Sequence, residues 1–254
     1  MDPKTMWGVG DYAAVAEKVT DAGEACVERA GIEPEMDVLD IACGTGNATI
    51  PAVRLGARVT GLDFQPDLLE IARRRAAEAK VKIDWVEGDA QNLPFEDAGF
   101  DRTISALGHM FAPDHERTAA EMKRVTRPDG KISICCWTPG GAIGGMLRTV
   151  GQLVPPPPGA SSPVLWGTED HVRELLGEGE FERREVEWRD QSVESYVDFM
   201  LETYGPLLNA QEALGERSGE LRETLMRFFE GENIESDGTL CFRGEYLAAV
   251  VPMS

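Results

Sequence analysis

Apolar residues arrive along this chain in two rhythms that take turns. Tyr12, Val15, Ala16, Val19, Ala22, Cys26 and Ala30 fall at helical spacing behind Asp11, a capping residue, and Gly31 closes the run. Short apolar runs follow: Val38 to Ile41, Ala57 to Asp63, Val81 to Val86, Phe100 to Ser105 and Lys131 to Trp137. Each is bounded by glycine, proline or acidic residues and reads as a strand. Helix-patterned stretches separate them: Asn47 to Leu55, the run opening at Pro66 with Leu68, Leu69, Ile71 and Ala72, and Pro113 to Val125. Arg127-Pro128-Asp129-Gly130 is a turn signal before the fifth strand. Beyond Trp137 short helices are expected at Met146 to Leu153 and Glu169 to Leu176. A sixth strand is expected at Phe181 to Asp190 and a last one at Gly238 to Val251. Between those two, Val193 to Phe229 is helix-patterned and split at Gly205-Pro206, and Pro155 to Pro158 form a stiff extended connector.

Strands alternating with helices predict an α/β fold, a doubly wound Rossmann-like sheet with helices on both faces. The stretch Val38-Leu39-Asp40-Ile41-Ala42-Cys43-Gly44-Thr45-Gly46-Asn47 organises it. A buried strand feeds a glycine turn and then a helix start, where bare main chain and free N–H groups cradle a polar ligand. Asp63 ends the second strand, a position suited to accept both hydroxyl protons of a ribose.

The stretch from Asp40 to Gly46 resembles the first motif of the class I S-adenosylmethionine-dependent methyltransferases, an acid followed by Gly-x-Gly-x-Gly. Asp40 fills the acidic slot, Ala42 stands in the first glycine slot, and Gly44 and Gly46 fill the others. Gly88-Asp89-Ala90 follows on schedule, and the Pro-Asp-Gly turn matches the one that introduces the family's fifth strand. The resemblance spans residues 36–138 and is nearest to the bacterial small-molecule group that includes the ubiquinone and menaquinone C-methyltransferases. It implies a seven-stranded, mostly parallel sheet whose last two strands form an antiparallel hairpin, with a helical lid. One domain, 1–254, is expected: an N-terminal helical cover (1–35), a cofactor core (36–138), lid and substrate segments (139–180 and 192–237) and the last two strands (181–191 and 238–252).

The resemblance also implies a cofactor, S-adenosylmethionine, held by Asp40, Ala42, Gly44, Gly46, Asn47, Asp63, Phe64, Asp89, Ala90 and Ser105, with Asp89 and Ala90 on the adenine. Methyl transfer to a small-molecule oxygen, nitrogen or carbon nucleophile follows. His109, just past the fourth strand at the ligand edge, is the candidate base. Trp7, Tyr12, Phe111, Trp137 and Tyr204 are candidates for an aromatic acceptor wall suited to a flat or apolar molecule. His115 and His171 are expected at the surface, and Arg73-Arg74-Arg75 is expected to form a solvated helix face.

Two rivals have sequence support. Gly44-x-Gly46 with Asp63 partly mimics a nicotinamide-dinucleotide fingerprint, but Thr49 stands where that pattern needs a third small residue. A cofactor-binding partner without turnover would keep the same residues. Composition narrows the rest. The net charge of −20, from 45 acidic against 25 basic residues, repels phosphate backbones and argues against a nucleic-acid partner. The five cysteines match no zinc spacing, so no metal is expected and the thiols read as buried and reduced. No apolar run approaches the ~18 residues of a membrane span, and the amino terminus lacks a signal core, so a cytoplasmic protein is expected.

Overall fold

The computed structural model describes residues 6–157 and 159–253; the first five residues of the expected N-terminal cover, and Pro158 of the proline run, lie outside them. Seven strands form one sheet: β1 (Asp37–Ile41), β2 (Arg58–Asp63), β3 (Asp84–Glu87), β4 (Phe100–Ala106), β5 (Thr126–Trp137), β6 (Glu180–Asp190) and β7 (Leu240–Pro252). Their order is β3-β2-β1-β4-β5-β7-β6. The first five run parallel, and β7 lies antiparallel to both neighbours. This is the expected mostly parallel sheet with an antiparallel hairpin at one edge.

Burial on both faces explains why the central strands are continuous apolar runs. Val38, Leu39 and Ile41 of β1 are fully buried, as are Leu62, Ile104, Ile132 and Ile134 on the neighbouring strands. The helices preceding or linking these strands are α1 (Tyr12–Glu17), α2 (Thr20–Ala30), α3 (Thr49–Arg54), α4 (Pro66–Glu78) and α5 (His115–Val125). Ala22, Cys26 and Ala30 of α2 and Met122 and Val125 of α5 close over the sheet in a single core. All five cysteines are free and buried. Among the described residues no helix is long and apolar enough to cross a membrane.

Several elements differ from the sequence expectation. The helix expected over residues 12–30 breaks at Lys18 and Val19, so two helices, Tyr12–Glu17 and Thr20–Ala30, stand in its place. The third strand begins at Asp84 rather than Val81, because Val81 and Ile83 pack beneath α3 and α4 instead of pairing. The Arg127 to Gly130 turn lies inside β5: Phe100 pairs with Thr126 and Arg102 with Lys131, so four residues bulge out opposite one. Asp129 takes φ 67 at the tip of that bulge.

The remaining helices are α6 (Ala142–Leu153), α7 (Glu169–Leu176), α8 (Val193–Thr203), α9 (Gly205–Leu214) and α10 (Ser218–Glu232). Helix α6 starts four residues before the expected Met146. Helices α8 to α10 sit between β6 and β7 in sequence, and the end of α8 with the start of α9 reaches back to the amino-terminal segment. Asp11 N–H donates to the Thr203 carbonyl at 3.0 Å. A Cβ on Gly205 would stand 2.2 Å from the Met6 carbonyl oxygen, so only glycine permits this approach.

Candidate active site

In an open parallel sheet, ligands bind beyond the carboxyl ends of the strands where the strand order reverses. Here β1 sits between β2 and β4, and a cavity of about 870 Å³ opens at that point. Its floor is the turn after β1, with Ala42, Cys43, Gly44, Thr45 and Asn47. Three residues of this turn have positive φ: Ala42 (53), Gly44 (52) and Gly46 (86). Glycine is needed at the last, where a Cβ would press to 3.3 Å from the Trp85 ring. Ala42 holds a left-handed conformation that costs an L-residue about 1 kcal/mol. Its Cβ also explains a second glycine: a Cβ on Gly108 would lie 2.7 Å from Ala42 Cβ and 2.4 Å from Ala42 O. Gly108 lines the cavity beside Leu107, which has φ 62. Positive φ at Ala42 and Leu107, on facing loops, marks stored strain of the kind that clusters at binding sites.

Two carboxylates lie beneath and beside the turn. Asp63 lines the cavity, with Oδ2 accepting from Gly44 N–H and Oδ1 from Gln65 N–H, both at 2.8 Å. Burial pushes it up to about 6 against these hydrogen bonds. Asp40 is fully buried below the turn and is not part of the cavity wall. Its Oδ2 accepts from Thr49 Oγ1 at 2.5 Å, while Oδ1 has no protein partner, and burial raises it to about 7. An orphaned buried oxygen beneath a cradle of main chain fits a bound polar group or water above it. Phe64, Asp89 and Ala90 line the cavity, and Asp89 fixes the loop after β3 by accepting from Gln91 N–H at 2.8 Å. Gly46 shapes the turn without facing the cavity.

Ser105 was expected on the cofactor, but it is buried off the cavity. Its hydroxyl donates to Ile41 O at 2.6 Å and accepts from His109 N–H at 3.3 Å, tying the loop after β4 to β1. His109 itself borders the cavity, in a setting that does not suit a base. It is fully buried, Nε2 lies 3.5 Å from Cys136 Sγ, and the ring packs edge-on to Trp166 at 4.7 Å. Desolvation, then His115, lowers its pKa to about 3, so the imidazole stays neutral and is a poor proton acceptor. The two histidines expected at the surface are instead packed against the same indole. His115 is buried, and its Nδ1 lies 2.9 Å from His171 Nε2.

Of the five candidate wall aromatics, Trp7, Tyr12 and Phe111 line the cavity. Trp7 sits between the other two, with ring centroids at 5.1 Å from Tyr12 and 4.9 Å from Phe111, edge to face in both cases. Tyr12 lies over the glycine turn, and burial together with the nearby Asp63 pushes its hydroxyl up to about 12. Tyr204 stands behind Trp7 at 5.7 Å and backs the wall without lining it. Trp137 is displaced from the site altogether. It is a core residue packed against Tyr246, and a Cβ on Gly244 would stand 3.1 Å from its ring. The hairpin strand β7 covers the ring, a long-range contact that local pattern does not reveal.

Residues 38–130 match the family model described as a methyltransferase domain. A Mycobacterium tuberculosis protein described as uncharacterised is 40% identical over 227 residues, covering 85% of this chain and 81% of the relative. The demethylmenaquinone methyltransferase of Thermus thermophilus is 37% identical over 123 residues, 47% of this chain and 56% of that enzyme. This chain belongs to the class I S-adenosylmethionine-dependent methyltransferases. The methyltransferase shares its fold with solved structures at low identity. A candidate methyltransferase of Bacillus halodurans superposes with a TM-score of 0.63 at 18% identity, over 92% of this chain and 98% of that one. The YcgJ protein of Bacillus subtilis gives 0.62 at 18%, with the same coverage.

The residues of this methyltransferase fit the cofactor its family uses. Main-chain N–H groups of the turn, an acid at the end of β2 and a capped loop after β3 converge on one cavity. Sequence reasoning missed Thr45, Gln91, Leu107 and Gly108, all of which line it. Thr45 stands between the two glycines of the first motif, and Leu107 and Gly108 follow the fourth strand at the ligand edge as His109 does, so each of these three had a readable signal.

Proposed function

We propose that this methyltransferase transfers the methyl group of S-adenosylmethionine to a small, flat, apolar acceptor through an oxygen, nitrogen or carbon nucleophile. The observation that carries this reading is the wall itself. Trp7, Tyr12 and Phe111 face a cavity that no Lys or Arg side chain lines among the described residues. Aromatic faces reward a planar apolar guest, and a wall without cations gives no counter-charge to a phosphorylated one. The net charge of −20 disfavours polyanionic acceptors further.

For the cofactor, the Gly44 turn would receive the methionyl end, Asp63 would accept the ribose hydroxyls, and Asp89 with Ala90 would border the adenine. When bound, the cofactor supplies a methyl group already activated on a sulfonium, so the protein's task is position and exclusion of water. The aromatic wall supplies both. With His109 held neutral, the acceptor gives up its proton to water, either by ionising before the transfer or by releasing it afterwards.

The test is a panel of phenols, quinols and aromatic amines incubated with S-adenosylmethionine and read by mass spectrometry for a gained methyl group. Trp7→Ala and Phe111→Ala should raise the acceptor KM about tenfold, from the loss of ~1–2 kcal/mol of aromatic contact, and leave the affinity for S-adenosylhomocysteine within about twofold. Methylation of sugars or phosphorylated acceptors, with none of the aromatic panel, would overturn the acceptor class. Binding of the cofactor with no product from any acceptor would point to the non-catalytic partner instead.

A further inference from the structure

Arg75 does not share the solvated face of its neighbours. Arg73 and Arg74 are exposed, whereas Arg75, on the inward side of α4, is half-buried and reaches the turn after β1. Its Nη1 donates to Thr45 O, Thr45 Oγ1 and Asn47 Oδ1, each at 2.8 Å. A guanidinium has donors only, so Asn47 must turn its amide oxygen toward Arg75. That leaves the Asn47 NH2 pointing the other way, where it donates to Ala16 O at 2.7 Å in α1. The contact is close on the far side too, since a Cβ on Gly23 of α2 would stand 2.7 Å from Asn47 O. Thr45, Asn47, Ala16 and Gly23 all line the cavity.

We infer that Arg75 is a positioning residue that sets the cofactor turn and, through the Asn47 amide, latches the amino-terminal helices over the cavity. One side chain on α4 thereby holds the floor of the site and its cover in a single register. Ala16 O accepts only from the NH2 group and Arg75 donates only to the oxygen, so the two hold the amide from opposite ends; without Arg75 the oxygen loses its anchor, and floor and cover lose their common reference. The inference rests on the cofactor reading above, because the ligand whose affinity reports it is the cofactor product.

The experiment is calorimetric titration of the full chain with S-adenosylhomocysteine, with circular dichroism as the check on folding. Arg75→Met should weaken binding about tenfold, and Asn47→Ala by a similar factor. The double variant should lose no more than the worse single one, because both substitutions open the same latch. Arg75→Lys, which keeps charge and donors, should stay within about threefold of wild type. Cleavage by trypsin after Lys18, at the break between α1 and α2, should be faster in Arg75→Met and Asn47→Ala. Losses that multiply in the double variant, or a folded Arg75→Met that binds within twofold of wild type, would overturn the latch. Should Arg75→Met not fold, Asn47→Ala and Arg75→Lys decide the matter by the same measurements. A wild type that binds no S-adenosylhomocysteine would overturn the cofactor reading as well, so the two failures are distinguishable.

Discussion

Asp63 offers the sharpest quantitative test of the cofactor site. Its carboxylate is buried, already accepts two main-chain N–H bonds, and is pushed up to about 6 by desolvation. Ribose hydroxyls are donors and bind best to the ionised form. Affinity should therefore be full above the raised value and fall as pH drops through it. With a pKa of about 6, roughly one molecule in eleven carries the charge at pH 5, so S-adenosylhomocysteine should bind about tenfold more weakly there than at pH 7.5. Asp63→Asn removes the charge while keeping the shape. It should cost about 1.5–3 kcal/mol, or about ten- to a hundredfold in affinity, and flatten the pH dependence. Calorimetric titrations at pH 5, 6, 7 and 7.5 with both proteins measure this directly. Asp40, raised to about 7, titrates in the same window and supplies the alternative source of any slope. A slope that survives Asp63→Asn belongs to Asp40 and refutes the ribose contact; a flat wild-type profile refutes it too.

Gly108→Ala should push the loop after β4 off the turn, because its Cβ would meet Ala42 O at 2.4 Å with backbone on both sides. The expected loss is about 1–3 kcal/mol of stability, seen in denaturant melts, with S-adenosylhomocysteine affinity down more than about tenfold; an unshifted melt and Kd would refute the close approach. His109 stays neutral across the working range because its pKa is lowered to about 3. The rate profile between pH 5 and 9 should therefore carry no limb from it. An acid limb near pH 6.5 that His109→Gln abolishes would restore it as the base.

The parallel core was legible because each of its elements states its own identity. Val38 to Ile41, Asp63 and Gly44 sit where a buried strand, a strand-end acid and a glycine turn must sit, and no distant contact alters that. The misread residues depend on contacts that local pattern cannot see. Trp137 ends β5 like a ligand-edge residue, yet β7, more than a hundred residues later, pairs Tyr246 beside it. His115 follows the cap Asp114 as a solvent-facing first-turn residue would, but Trp166 from the 3₁₀ turn Pro163–Gly167 folds over it. Arg75 looks like one of three consecutive arginines, and only the approach of the β1 turn to α4 separates it from the other two.

The same contrast says why the cofactor half of the site can be read and the acceptor half resists. The cofactor half is written in backbone: positive φ at Ala42, Gly44 and Gly46, main-chain N–H groups, and a glycine at 108 that the Ala42 Cβ requires. Such demands fall on few residue types and leave a signature in order and spacing. On the proposed function, the acceptor half would be written in side chains brought by three separate segments. Trp7 and Tyr12 come from the cover, Phe111 from the turn after β4, and Tyr204 from the end of α8, which backs Trp7. Trp7 and Phe111 pack edge to face and also line the cavity, so on that reading their identity serves the guest as well as the packing. It follows that exchanging Trp7 or Phe111 should redirect acceptor choice while the turn, the Asp63 carboxylate and the Arg75 latch remain as they are.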